Sequence, residues 1–236
     1  MKQYNGEKAI ISLTSWKARI NTVDKTIYSL LSNCPGFHIV LVLSEEEFPQ
    51  KEKELPDNLM LFVDNDLIEI LWVYRNYKAF KKVLFTLDKY RDVPIISADD
   101  DCIYKMNYAE NLYNIWECNK DSFVSIWAKK QQFITCINDK VWHSGGAGTL
   151  YPPYVFKEYG LLNLTDEVLN LTNQDDDYYT CLKILLNLNK CIVCGQWRDV
   201  YIFHDDNEPL HKNMMRNKNT LYKLVKKQMK KLNARV

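Results

Sequence analysis

Residues 95–104 read IISADDDCIY: an apolar run enters three adjacent carboxylates, Asp99, Asp100 and Asp101, and then returns to Ile103 and Tyr104. Adjacent negative charges repel one another, so such a block between core-like flanks calls for a cation or a ligand beside it. The preceding VPIIS (93–97) reads as a strand apolar on both faces, which places the block at the strand's carboxyl end. In extended backbone, residues two apart share a side. Asp99 and Asp101 therefore face one way and Asp100 the other. Two hard oxygen ligands on one side suit Mg²⁺ or Mn²⁺, with the remaining positions left to water and phosphate oxygens. A solvated acidic turn, a phosphatase or a nuclease would present the same block.

Working outward, KAIISLTSW (8–16) is a β-rich run that ends in polar residues, as a buried strand followed by a loop does. In 22–36, Val23, Ile27, Leu30 and Leu31 recur at helical spacing, and Pro35-Gly36 stops the helix. FHIVLVLS (37–44) is a second strand, and LMLFVD (59–64) and IEILWV (68–73) are expected as a third and a fourth. NYKAFKKVLFTLDKY (76–90) reads as a helix leading into 93–97. The order β-α-β-β-α-β, with runs apolar on both faces, predicts an α/β fold with a mostly parallel sheet flanked by helices. Ligands of such sheets bind beyond the carboxyl ends of the strands, where LTSW, LSEEE and ADDD all fall. Further on, 108–119 reads as a helix, 123–128 as a strand and HSGGAGTLYPP (143–153) as a shaped loop. A helix is expected over 171–189 with three acids in its first turn, followed by late strands in CIVCG and DVYIFH.

The 236 residues are 47% hydrophobic and 13% aromatic, enough for a sizeable core and against disorder. The formal net charge of +1 conceals an asymmetry: the segment from His211 to Val236 holds nine Lys or Arg and no acid, while the other 210 residues carry 22 basic and 30 acidic side chains. We therefore expect one domain over 1–210 and a basic tail over 211–236. In the tail Leu221, Val225, Met229, Leu232 and Val236 recur at helical steps among Lys223, Lys226, Lys227, Lys230, Lys231 and Arg235. Such a basic amphipathic helix suits an anionic membrane surface, or docks on the domain with its basic face in water. The acidic body opposes binding to nucleic acid. No apolar run approaches the length of a membrane span, no secretory signal opens the chain, and the seven scattered cysteines fit free thiols. A cytoplasmic protein, peripheral at the inner face of the membrane, is the expectation. Cys191 and Cys194 form the one CxxC and are read as structural residues rather than a zinc site.

IISLTSWKARI, RNYKAF, SADDDCIY, HSGGAGTLYPP and NQDDDYY, in this order over residues 8 to 180, together resemble nucleotide-sugar glycosyltransferases of the GT-A type. Among these the bacterial enzymes that build surface polysaccharide are the most similar. The resemblance implies a GT-A fold, Mn²⁺ or Mg²⁺, and a nucleoside-diphosphate sugar donor such as a UDP-sugar. It also implies a glycan or lipid-linked glycan acceptor and hexosyl transfer, with inversion at the anomeric carbon favoured and retention left open. Asp99 and Asp101 match the motif that holds metal-bound diphosphate and the donor ribose, and Asp100 is left to a sugar hydroxyl. Thr14, Ser15 and Arg19 match a region that contacts the nucleotide, although Arg19 reads equally as a surface cation. Arg75 and Lys78 match a basic element near the diphosphate, where fixed positive charge offsets the leaving group.

Asp175 and Asp176 fall where many inverting members place a carboxylate, and Asp176 is the expected base for the acceptor hydroxyl. Helix capping is the competing explanation for these acids. Gly145, Gly146 and Gly148 would let the backbone approach the sugar, or simply form a tight turn. His204, with His211 behind it, is a candidate further metal ligand. Two rivals stay open. A nucleotidyltransferase would carry a glycine-rich phosphate loop near the first strand, and LTSWKARI has no glycine. A carbohydrate-binding module on the same fold would bind without metal or turnover.

Overall fold

The computed structural model describes residues 2–126, 148–153, 191–195 and 201–202, together with the strand backbone at 128–129, 142–143 and 203. Four β-rich runs form the parallel half of the sheet: β1 (Ile10–Thr14), β2 (His38–Ser44), β3 (Glu69–Val73) and β4 (Ile95–Ser97). β1 lies between β2 and β4 and is parallel to both, and β3 continues the sheet parallel to β2. Beyond β4 come β6 (Phe123–Ser125), β9 (Thr149–Tyr151) and β10 (Cys191–Val193), giving the order β10-β6-β9-β4-β1-β2-β3. β9 runs antiparallel to both of its neighbours, while β10 is parallel to β6. Two short ribbons flank the sheet: β5 (Cys102–Tyr104) pairs with β11 (Tyr201–Phe203), and β7 (Ala128–Lys129) with β8 (Trp142–His143).

The alternation of side chains along a strand explains why the central runs are apolar throughout. Ile11, Leu13, Ile39, Leu41 and Leu43 project to one face, against α1 (Val23–Asn33), α2 (Asp57–Asp64) and α4 (Tyr108–Glu117). Ile10, Val40, Val42 and Ile95 project to the other, against Phe80, Val83, Leu84 and Leu87 of α3 (Lys81–Lys89) and the turn before it. The expected fold class is the observed one: a mostly parallel α/β sheet with helices on both sides.

Two expected elements differ. LMLFVD (59–64) is not a third strand but the body of α2. A strand would put residues 59, 61 and 63 on one face, yet Leu59 and Val63 are buried while Leu61 is 62% exposed. That is the i, i+4 pattern of a helix, and Pro56 at the cap with Asp57 in the first turn starts it. The second difference lies in 143–153, expected to be a loop. Thr149, Leu150 and Tyr151 form β9, fully buried between β4 and β6. The glycines before it and the prolines after it concealed a three-residue strand whose pairing partners are remote in sequence. No helix among the described residues is long and apolar enough to cross a membrane.

Candidate active site

Strand order reverses at β1, with β2 on one side and β4 on the other, and the crevice at such a switch point is where open α/β sheets bind ligands. The segments after β1 and β4 meet there. Asp99, Asp100 and Asp101 form a turn rather than an extension of β4, so the expected alternation of their side chains does not hold. Asp100 is the inner residue, 6% exposed. Ser15 Oγ donates to its Oδ2 at 2.6 Å and Arg19 Nη1 to its Oδ1 at 2.8 Å. Thr26 Oγ1, on α1, donates to its carbonyl at 2.9 Å. Arg19 Nη1 also lies 3.0 Å from Asp101 Oδ2. Asp100 is therefore committed to the protein's interior rather than to a sugar hydroxyl. Arg19, 6% exposed, is not a surface cation but an internal counter-ion of the acidic turn. Ser15 likewise serves Asp100.

The turn is fixed from below as well. The Asp99 N–H donates to Tyr104 Oη at 2.8 Å, and the Tyr104 ring lies 4.3 Å from that of Tyr108. Tyr108 Oη in turn donates to the Ser97 carbonyl at 2.6 Å. Thr26, Ser29 and Asn33 form a polar stripe on α1. Ser29 Oγ accepts from Tyr104 N–H at 3.0 Å, and Asn33 Nδ2 donates to the Tyr104 carbonyl at 2.8 Å. These anchors hold the backbone of the turn and its flanks in place, which is the kind of support a preorganised site needs.

Electrostatically the turn is short of positive charge. Burial, and then the neighbouring Asp99 charge, push Asp101 up to about 6 although Arg19 pulls it back. Burial raises Asp100 too, against Arg19 and Ser15. Burial alone would lower Arg19, but Asp100 and Asp101 hold it above its ordinary value. On the open side, Lys82 Nζ meets Asp99 Oδ1 at 2.7 Å. Next to it Lys81 is almost fully buried, with Nζ 3.1 Å from Glu47 Oε2 and 3.2 Å from Asn76 Oδ1. Burial lowers its pKa despite Glu47. Glu47 also accepts from Ser44 Oγ at the end of β2, at 2.9 Å.

Lys81, Lys82 and Glu47 were not singled out from the sequence. Their signal was position: two lysines, and no acid, occupy the first turn of α3, where the helix dipole disfavours cations.

Other expected residues have different surroundings. Thr14 Oγ1 donates to the Val42 carbonyl at 2.6 Å and so closes the end of β1 on β2. Arg75 lies 5.6 Å over the Tyr77 ring, and half-buried Lys78 opens the 3₁₀ turn at φ 52° before α3. Both stand on the approach to α3, and the ammonium that meets the acidic turn is that of Lys82. Gly148, at φ +93°, faces Tyr108: a Cβ there would lie 2.5 Å from Tyr108 Cε2. Close packing against that ring, at a positive φ, is reason enough for the glycine. Gly145, Gly146, Asp175, Asp176, His204, His211 and the tail 211–236 lie outside the described residues.

The chemistry of the acidic turn, hard carboxylate oxygens, is of the kind that hard divalent cations take. Asp99 and Asp101 offer carboxylate oxygens, and Asp101 shares its cation, Arg19, with Asp100. No group of three or more His, Cys, Asp or Glu among the described residues is placed to hold a metal ion by itself. A site of two carboxylates completed by water and phosphate is the Mg²⁺-type arrangement.

No family model matches the chain, and no curated protein does. Solved structures do. S. aureus TarS 1-349 in complex with UDP-GlcNAc has a TM-score of 0.60 at 11% identity, over 92% of this chain and 65% of that one. The same protein in complex with UDP gives 0.58 at 12% identity, over 81% and 59%. The mannosyltransferase PcManGT from Pyrobaculum calidifontis, in complex with GDP-Man and Mn²⁺, gives 0.54 at 14% identity, over 80% and 55%. The chain thus spans less than two thirds of the length of each of these structures. At such identities the likeness is one of fold, and the fold is the GT-A-like one.

Proposed function

We propose that this chain is a glycosyltransferase that moves a sugar from a nucleoside diphosphate to a hydroxyl acceptor. The observation that carries the reading is the preorganised acidic turn at the switch point of this fold, with the near-buried Lys81 and Lys82 at its edge. In the fold relatives TarS holds UDP-GlcNAc and PcManGT holds GDP-Man with Mn²⁺, which supports a nucleotide-sugar donor and a divalent metal here. Asp99 and Asp101 would hold that metal, whose charge polarises and neutralises the departing diphosphate. Lys82, with Arg75 and Lys78 on the approach, adds positive charge beside the turn. Arg19, Ser15 and Thr26 hold the turn's geometry through Asp100.

The finer reading is a UDP-sugar donor, a hexosyl group and a glycan or lipid-linked acceptor in surface polysaccharide synthesis. Inversion, with Asp176 or its neighbour Asp175 as base, completes it, and His204 is proposed as a further metal ligand. The basic tail would hold the enzyme at an anionic membrane. The test is thermal unfolding with a panel of nucleotide sugars, with and without Mn²⁺. A donor at a hundred times its Kd stabilises by about 2.7 kcal/mol when only the native state binds it. Asp101→Asn is expected to remove that stabilisation in Mn²⁺. Undiminished stabilisation of the variant in a chelator would refute the metal reading, and no stabilisation of the unaltered protein by any donor would refute the transferase.

A further inference from the structure

We propose that Lys82 is an exchangeable counter-ion for Asp99. Its ammonium holds the carboxylate while the site is without donor, and turns to the donor's diphosphate when a divalent cation engages Asp99. The inference rests on the transferase reading and concerns how the site keeps its charge balanced as it fills.

The pair is asymmetric in a way that suits exchange. Lys82 is 4% exposed, whereas the Asp99 side chain is 36% exposed and opens outward. The lysine therefore waits in the wall and the carboxylate faces the arriving ligand. The backbone at Lys82 is pinned: its carbonyl accepts from Ser12 Oγ, and that hydroxyl also lies 2.7 Å from Thr86 Oγ1 one turn along α3. Any adjustment is thus confined to the four-carbon stem, which carries a compact charge that reorients easily.

Lys81, beside Lys82, divides its ammonium between Glu47 and Asn76, two loops that it ties to α3, and is buried further from the turn's open carboxylate.

The charge count favours a change of partner. Asp99 is 2.7 Å from an ammonium, and a divalent cation at the same carboxylate would stand a few ångströms from that ammonium. Two cations at that separation repel strongly in a partly buried site. A diphosphate brought in with the metal supplies the acceptor oxygens to which the ammonium moves. In the first turn of α3 the helix dipole already disfavours a cation, and an anion placed there relieves this as well. Removing Lys82 should then have opposite effects on the two ligands.

The experiment measures Mn²⁺ binding without nucleotide by electron paramagnetic resonance, and UDP and GDP binding in Mn²⁺ by calorimetry. The proteins are the unaltered chain, Lys82→Met and Lys82→Arg. Lys82→Met is expected to bind Mn²⁺ alone about tenfold more tightly and the nucleotide about tenfold more weakly, from the loss of one nearby charge. Lys82→Arg, which keeps the charge, should stay near the unaltered protein on both. Should Lys82→Met fail to fold, Lys82→Gln carries the same two signs. Parallel weakening of both ligands, unchanged Mn²⁺ affinity, or unchanged nucleotide affinity overturns the exchange while leaving the transferase in place. If the unaltered protein binds neither UDP nor GDP in Mn²⁺, the transferase reading falls and takes the exchange with it.

Discussion

Replacing Arg19 with methionine tests the architecture of the acidic turn directly. Arg19 is 6% exposed, and it meets two carboxylates, Asp100 at 6% and Asp101 at 9% exposure. One guanidinium nitrogen lies 2.8 Å from Asp100 Oδ1 and 3.0 Å from Asp101 Oδ2. Methionine fills much of the same volume, so the lost term is mainly the counter-charge of two groups that water scarcely reaches. Removing one partner of a buried ion pair costs about 3–5 kcal/mol. Set against a typical total stability of about 5–15 kcal/mol, that is a large share. The assay is urea unfolding at pH 7 followed by two probes. With a slope of about 2–3 kcal/mol/M, the midpoint should fall by about 1–2.5 M.

A double-mutant cycle isolates the cause. In Arg19→Met with Asp100→Asn, the neutral amide still accepts from Ser15 and leaves one fewer unpaired charge. At least about 1 kcal/mol of the loss should therefore return, as coupling between contacting residues does. Arg19→Lys keeps the charge but not the fork that spans two carboxylates, and should fall between. The reasoning fails if Arg19→Met costs less than about 1 kcal/mol, or if the effects of Arg19→Met and Asp100→Asn simply add.

Two further outcomes follow from the packing. Gly148→Ala places a Cβ 2.5 Å from the Tyr108 ring at a φ of +93°, and should cost about 2–4 kcal/mol from strain and overpacking together. A loss below about 1 kcal/mol in urea would show that Tyr108 steps aside freely. At the opposite end of the sheet, Glu69 is buried with His38, Lys89 and Tyr90 donating to its carboxylate. Burial alone would raise its pKa, but hydrogen bonds from His38, Lys89 and Tyr90 hold it below the ordinary 4.5. A depressed carboxyl contributes stability that is present above the unfolded value and lost as pH falls through the folded one. Glu69→Gln should therefore destabilise most at neutral pH, with the difference shrinking as pH drops below about 4.3. A difference that stays constant from pH 7 to pH 3 would show that the charge is irrelevant.

Local pattern alone determined a good deal about this protein. Ile10, Ile11, Leu13 and the run from His38 to Ser44 are apolar on alternate sides, so strands covered on both faces follow from the pleat. That IISADDDCIY is a strand leading into an acidic turn was legible from its hydropathy as well. So was the placing of that turn beyond the strand ends with LTSW.

Where the pattern was short or ambiguous, context decided. Residues 59 to 64 are apolar enough for either period, and only the burial of Leu59 and Val63 with Leu61 outside marks a helix. β9 is three residues between glycines and prolines, and it is a strand because β4 and β6 pair with it.

The division of labour within the acidic turn was likewise beyond local reading. Ser15, Arg19 and Thr26 reach Asp100 from 85, 81 and 74 residues away. Lys82 reaches Asp99 from 17. The sequence thus determined that three carboxylates meet at a strand end, because repulsion and hydropathy are local properties. Which of the three turns inward, and which cation answers each, depends on the low-dielectric surroundings that only the assembled chain creates. Only the tertiary structure could decide that.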